Sequence, residues 1–318
     1  MVATILIALG ANLGDRGETI TQAIDQLATD RDFNLLQRSS LLVTKPVGGP
    51  EGQPDFINAA AKFETSLSAD QVHQKLIEVE HLHGRVRKLR WGARSLDLDL
   101  LLYDQEVRQT TQLTLPHPRM SFRRFVMQPA AEIAAEMIHP QLGSTLGQLW
   151  QQLVSSPPVV EIATPPGPTA ERLCAEVQRQ LGEPMVHIPP PILWPESATQ
   201  LSSVLTQAIG EAAMAWEPPP GHAVNLFPWW SELPCLLDTS AVPSAMPTQP
   251  RLVVLWIPAS ESVDPIETTW WSPEARASLE RRLEEAVNQK VHGPRLCLSG
   301  HDMTTAVTEV TAAIEAMQ

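Results

Sequence analysis

Several common classes of protein are excluded by what these 318 residues lack. There are three cysteines, Cys174, Cys235 and Cys297. They are odd in number, far apart and outside any metal-ligand spacing, so neither a disulfide framework nor a cysteine metal site is indicated. A reducing cytoplasm suits them. No apolar run approaches the roughly 20 residues that cross a bilayer. The opening MVATILIALGANLG has neither a basic start nor a small-residue cleavage site, so it reads as a buried strand rather than an export signal. Positive charge is scarce: 23 Lys and Arg stand against 36 Asp and Glu, a net charge of −13. Such a balance argues against general nucleic-acid affinity. No internal repeat is evident, and nothing in the sequence speaks to oligomeric state.

The few cations are gathered. Arg85, Arg87, Lys88, Arg90 and Arg94 fall within ten residues, and Arg119, Arg123 and Arg124 follow. In an acidic chain that concentration favours a local phosphate site over a surface-wide field. Around it the first half reads as an ordered series of elements. Thr4 to Leu9 is an apolar run suited to a central strand. Ile20, Ala23, Ile24 and Leu27 then recur at helical spacing. Leu35 to Thr44 and Asp55 to Thr65 read as strands joined by the loop KPVGGPEGQP. Ser68 and Gln71 form a capping-box pattern. Val72, Leu76, Val79 and Leu82 continue the helix, and Gly84 is placed to end it. Ser95 to Tyr103 is a strand. The order βαββαβ is that of a ferredoxin-like α+β domain, and a mostly helical stretch follows to about Leu153.

In SLDLDLLLY, period two puts the leucines on one face and Asp97 and Asp99 on the other. An isolated DLD is ordinarily a solvated strand face. Here Asp is disfavoured in strands, and the pair directly follows the arginine-rich loop. Adjacent carboxylates repel unless a cation lies between them, and beside a phosphate substrate Mg²⁺ is the usual one. Arg85, Arg87, Arg94, His117 and Arg123 can donate to phosphate oxygens. Gly84 and Gly92 bracket a segment able to close over a nucleotide.

Four segments, ALGANLGD, QPDFINAA, GRVRKLRWGARSLDLDLLLY and LPHPRMSFRRFVMQPAAEIA, make residues 1–153 resemble the 6-hydroxymethyl-7,8-dihydropterin pyrophosphokinases. The resemblance implies a ferredoxin-like fold. It also implies transfer of pyrophosphate from ATP to hydroxymethyl-dihydropterin, with two Mg²⁺ per site held by Asp97 and Asp99. Asn58 matches the residue at the pterin edge, and Phe56 and Phe125 match the aromatics that sandwich the ring. Thr44 to Val47 matches a loop whose backbone contacts the pterin. Arg85, Arg87, Trp91 and Arg94 match a mobile loop with its catalytic cations. His117 and Arg123 match phosphate contacts, and Glu80 an acidic position near the nucleotide. There are departures. The Lys88–Trp91 loop is one residue short, Gly48-Gly49 adds one, Lys45 replaces a common proline, and Phe56 stands where Tyr is frequent.

The composition breaks at 154–168, where SSPPVVEIATPPGP reads as a linker running into the first strand of a second domain, 159–318. Leu173, Val177 and Leu181 form a helical stripe, and Leu252 to Ile257 is a buried-strand run. Ser272-Pro273 opens a helix. Arg295 to Leu298 is a strand, and Val307, Val310 and Ile314 mark a closing helix. The three cysteines read as small buried residues, and the pairs Trp229-Trp230 and Trp270-Trp271 as core. The layout weakly resembles deoxynucleoside-kinase-like P-loop domains. The phosphate-binding GxxxxGK[ST] is missing, however: Pro168 stands in place of the lysine and Ile162 in place of the first glycine. A degenerate kinase-like domain, an unrelated α/β domain, a second unrecognised activity such as a nucleoside kinase, and a regulatory fusion all remain open. His187, His222, Asp238, His301 and Asp302 have no informative spacing.

Overall fold

The computed structural model describes residues 2–50, 52–84, 92–165, 167–182, 185–187, 224–227 and 249–318. The chain divides into two compact units, Met1–Gln151 with Glu315–Gln318, and Gln152–Ile314. Among the described residues no helix is long and apolar enough to cross a membrane.

In the first unit β1 (Ala3–Ala11) leads to α1 (Arg16–Thr29), β2 (Phe33–Arg38), β3 (Leu42–Thr44), β4 (Phe56–Thr65), α2 (Ala69–Leu82) and β5 (Asp97–Tyr103), and the short pair β6 (Arg108–Gln109) and β7 (Thr114–Leu115) follows. The sheet order is β2-β4-β1-β5, with β3 also on β4 and every pairing antiparallel. The order is βαβββαβ, the expected βαββαβ with its second strand split in two. β1 is central because its run ILIAL has no polar face to offer water. Ile5, Ile7 and Leu9 pack in one cluster with Ile20, Ile24 and Leu27 of α1 and Val72, Leu76 and Val79 of α2. The opposite face receives α3 (Arg124–Ala134), which contacts β4 and β1.

Local signals explain the element ends. Asp15 caps α1 by accepting from Glu18 N. Both halves of the Ser68–Gln71 capping box form, and α2 stops before Gly84, whose φ of +75° is the left-handed region that glycine enters without strain. The single strand expected over Leu35–Thr44 is two strands. Between them Ser39 bonds β4 through its own side chain, its Oγ accepting from Ala60 N at 2.9 Å. A hydroxyl thus takes a ladder position and interrupts the pairing.

The second unit is an open sheet of five parallel strands, ordered β12-β11-β8-β10-β9. These are β8 (Val159–Ala163), β9 (Met185–His187), β10 (Val224–Phe227), β11 (Leu252–Leu255) and β12 (Arg295–Cys297). Its helices include α5 (Pro168–Leu181), the short α6 (Glu267–Trp270), α7 (Pro273–Lys290) and α8 (Met303–Ala316), while α4 (Leu146–Ser155) precedes β8. The stretch read as a linker running into a first strand contains β8, which begins at Val159 and has all five residues buried. Two expectations need correction. Cys297 is exposed, on the outermost strand, whereas Cys174 is buried. Trp270 is core, but Trp271 is only partly buried. Cys235, His222, Asp238, Trp229 and Trp230 lie outside the described residues.

The capping box is the test of how α2 starts. Ser68→Ala should cost about 1 kcal/mol, read as faster amide exchange in the first turn of α2.

Candidate active site

Register on either side of β1 assembles the first unit's polar face. Gly10 pairs with Asn58 of β4 and with Asp97 of β5. One step along, Ala8 pairs with Ala60 and Asp99. Residues opposite one another across a sheet share a face, so Asn58, Gly10 and Asp97 form one row and Asp99 stands in the next. The face carries small residues on β1, and those leave room between the polar side chains. A Cβ at Gly10 would lie 3.3 Å from Asn58 Oδ1 and 3.9 Å from Phe56 Cδ1. Phe56 and Asn58 therefore border one slot above β1.

Neighbouring groups fix each member. Asn58 Nδ2 donates to Thr44 Oγ1 at 2.8 Å, which holds the amide with its oxygen toward Gly10. Thr44 and Val47 line a cleft that Phe125 also lines. The Arg123 guanidinium stacks 5.6 Å from the Phe125 ring centre. Arg94 pairs with Asp97, so a cation already sits on the first carboxylate. His117 Nε2 lies 3.9 Å from Asp99 Oδ2. Its Nδ1 accepts from Arg119 N at 3.3 Å, which leaves the ring proton on Nε2. Burial holds the His117 pKa down to about 4; Asp99 opposes this, while Arg123 and Arg119 add to it. The imidazole is thus neutral at physiological pH and presents an N–H donor beside Asp99.

Two residues that the sequence did not single out hold this face in shape. Gly10 supplies the opening. Asn12, only 1% exposed, receives Arg94 N on its Oδ1 at 2.6 Å and donates from Nδ2 to Gln53 Oε1 and Pro54 O. Its own N–H and that of Leu13 both donate to Arg94 O. One asparagine therefore ties the end of β1 to the segment before Asp97 and to the loop before Phe56. Both residues stand in ALGANLGD; their roles depend on strand register and non-local bonds that a linear reading cannot see.

Asp97 and Asp99 share a face with no third acidic ligand. Among the described residues no group of three or more His, Cys, Asp or Glu is arranged to hold a metal. Two hard oxygen donors beside small residues fit Mg²⁺, which takes one or two carboxylates and completes its sphere with phosphate and water. Arg85, Arg87 and Trp91 lie outside the described residues.

Comparison with known proteins identifies the family. The family model for 7,8-dihydro-6-hydroxymethylpterin-pyrophosphokinase matches residues 6–135. The 2-amino-4-hydroxy-6-hydroxymethyldihydropteridine pyrophosphokinase of Haemophilus influenzae is 43% identical over 137 residues, 43% of this chain and 85% of that protein. The Pseudomonas aeruginosa enzyme of the same name is 34% identical over 167 residues, 52% of this chain and 99% of its own length. The chain belongs to the 7,8-dihydro-6-hydroxymethylpterin-pyrophosphokinase family. A solved structure of Plasmodium falciparum HPPK-DHPS with pteroate covers 94% of the chain at 11% identity with a TM-score of 0.39; nothing about the second unit follows from that level of likeness.

Glu80, expected near the nucleotide, is 2% exposed and accepts from Leu98 N at 2.7 Å. β5 is the edge strand, so the Leu98 N–H has no strand to bond. Glu80 supplies the acceptor from α2 and holds the backbone between Asp97 and Asp99. Glu80→Ala should therefore destabilise the first unit by about 1–3 kcal/mol through an orphaned amide, seen as a lower thermal midpoint. A nucleotide ligand at this position would instead show a raised KM for ATP at unchanged stability.

Proposed function

We propose that the polar face of the first unit carries out the family's reaction with Asp97, Asp99, Arg94 and His117 at the phosphates and Asn58, Phe56 and Phe125 at the pterin. The hydroxymethyl oxygen of 6-hydroxymethyl-7,8-dihydropterin attacks the β-phosphorus of ATP, and the products are AMP and the pterin diphosphate. The observation that carries these assignments is the Asn58–Gly10–Asp97 row: a slot floored by glycine runs from an amide with both donor and acceptor groups to a carboxylate pair.

Phosphoryl-type transfer asks a protein for position and charge neutralisation more than for covalent help. Asn58 can read a ring edge with paired donor and acceptor, and its bond to Thr44 fixes the amide before substrate arrives. Phe56 borders the slot, and Phe125 lines the neighbouring cleft with Thr44 and Val47. Asp97 and Asp99 would hold two Mg²⁺, which would neutralise phosphate charge there. Arg94 starts on Asp97, so a phosphate or cation arriving there frees a guanidinium to bind phosphate oxygens in forked geometry. His117 can add a neutral N–H, and Arg123 a further cation. Arg85, Arg87 and Trp91 complete the assignment by family resemblance. Free thiols at Cys174 and Cys297 suit a reducing, cytoplasmic setting.

The second unit reads as a degenerate kinase-like domain. The support is a parallel sheet whose first strand is central, with α5 opening on Gly167-Pro168 and no lysine there. Two of its candidates have structural contacts: Asp302 Oδ1 accepts from Thr305 N at the start of α8, and His301 Nδ1 lies 3.1 Å from Ser299 O.

Asp97→Ala or Asp99→Ala should lower kcat by about 10³-fold or more while pterin affinity stays within roughly fivefold; AMP production at the wild-type rate by either variant would overturn the assignment. Gly10→Ala should raise KM for the pterin by roughly fivefold or more, because Asn58 must give way, and leave KM for ATP within about twofold.

A further inference from the structure

The second unit has a crevice of the kind where open parallel sheets bind ligands. The chain leaves β8 toward β9 on one side and leaves β11 toward β12 on the other. Neighbouring strands whose connections diverge mark a topological switch point, and ligands enter beyond their carboxyl ends. Beyond β8 stands the N-terminus of α5, 14 residues long, whose N-cap Gly167 contributes no side-chain bond. The Thr169 N–H and the helix dipole would favour an anion there.

A group from the β11 side fills the place. Glu267 is 1% exposed, and its Oε1 accepts from Thr169 N at 2.6 Å. A Cβ on Gly167 would fall 2.3 Å from Glu267 Cδ and Oε1. Gly167 has an extended φ of 161°, open to any residue, so it is the carboxyl group that excludes a side chain here. Thr169 Oγ1 accepts from Asp264 N at 2.8 Å and docks the segment carrying Glu267. Glu267 Oε2 is buried without a hydrogen bond, 3.5 Å from Arg276 Nη1. The Nη1 and Nη2 atoms of Arg276 are buried and make no hydrogen bond either. A helix N-terminus, a buried anion and a guanidinium with spare donors are the parts of a phosphate site, but the anion belongs to the chain.

We propose that the switch-point crevice of the second unit is an anion site occupied in cis, with the Glu267 carboxylate standing where a phosphate group would bind and keeping phosphorylated ligands out. The inference is independent of the pyrophosphokinase assignment. It gives the missing P-loop lysine a physical counterpart: with the position filled internally, no ligand phosphate is there for a lysine to meet. Burial raises the Glu267 pKa, and the bonds from Thr169 and the nearby Arg276 oppose the rise. The carboxylate is therefore held less favourably than in water, and a better-matched anion could replace it once its side chain is removed.

Hydrogen exchange of peptides covering 164–181 in the full-length chain tests this. In the wild type, neither millimolar inorganic phosphate nor ATP with Mg²⁺ should slow exchange there; slowing by either would overturn the proposal without any variant. Glu267→Ala should speed exchange at the start of α5 by about fivefold to tenfold, the loss of a cap, and phosphate or acetate should restore it. A variant whose α5 is deprotected and ignores both anions would also overturn it, provided Thr169 and Ala170 still exchange more slowly than an unfolded chain. If that residual protection is absent, the wild-type measurement decides. Pterin pyrophosphokinase activity followed in the same samples reports the first unit separately.

Discussion

Everything in the first unit turns on β1 being apolar enough to occupy the middle of the sheet and small enough at one end to leave space. Its partners on both sides are antiparallel, so one glycine brings an amide from β4 and a carboxylate from β5 into a single row. A slip of one residue on either side would send Asn58 or Asp97 to the face packed against α1 and α2. The core prevents such a slip. Ile5, Ile7 and Leu9 on β1, with Phe63 on β4 and Leu98 and Leu100 on β5, must all reach the helices, and each Leu or Phe turned toward water would forfeit roughly 1.5–3 kcal/mol. Packing on one face thereby fixes chemistry on the other.

The edges of that sheet are where side chains replace missing strand partners. At β5, Glu80 accepts the Leu98 N–H; at the β2–β3 break, the Ser39 hydroxyl receives Ala60 N. Asn12 does similar work beyond the end of β1, where Arg94 and the loop at Gln53 and Pro54 have no ladder to join. The two aspartates therefore project from a backbone held at Leu98 and Arg94. For a reaction that depends on position, that support matters as much as the groups touching phosphate.

Signals of short range were legible in the sequence. Period two in SLDLDLLLY placed Asp97 and Asp99 on one face, and Ser68, Gln71 and Gly84 marked both ends of α2. What was not legible depends on pairs far apart in the chain. Nothing local distinguishes Gly10 from any strand glycine until Asn58 and Asp97 are brought beside it. The support that Glu80 gives β5 was hidden for the same reason: no local signal shows that its carboxylate accepts from Leu98 N. In the second unit the strand after the proline-rich stretch was legible, but its central place depends on pairing with β10 and β11, which no local signal reveals.

The two units place a glycine beside a charged pair to opposite effect. In the first, Asp97 is paired with Arg94, a partner that is itself suited to phosphate, and the slot above Gly10 stays open. In the second, Glu267 lies against the backbone at Gly167 and bonds Thr169, with Arg276 behind it. In the proposed reading the first glycine keeps its place free for a substrate, whereas the second is already covered by the chain's own carboxylate. The absent side chain thus serves ligand access in one case and internal packing in the other. A glycine beside a candidate anion site says only that something must come close; the group found against it decides whether that something is a ligand.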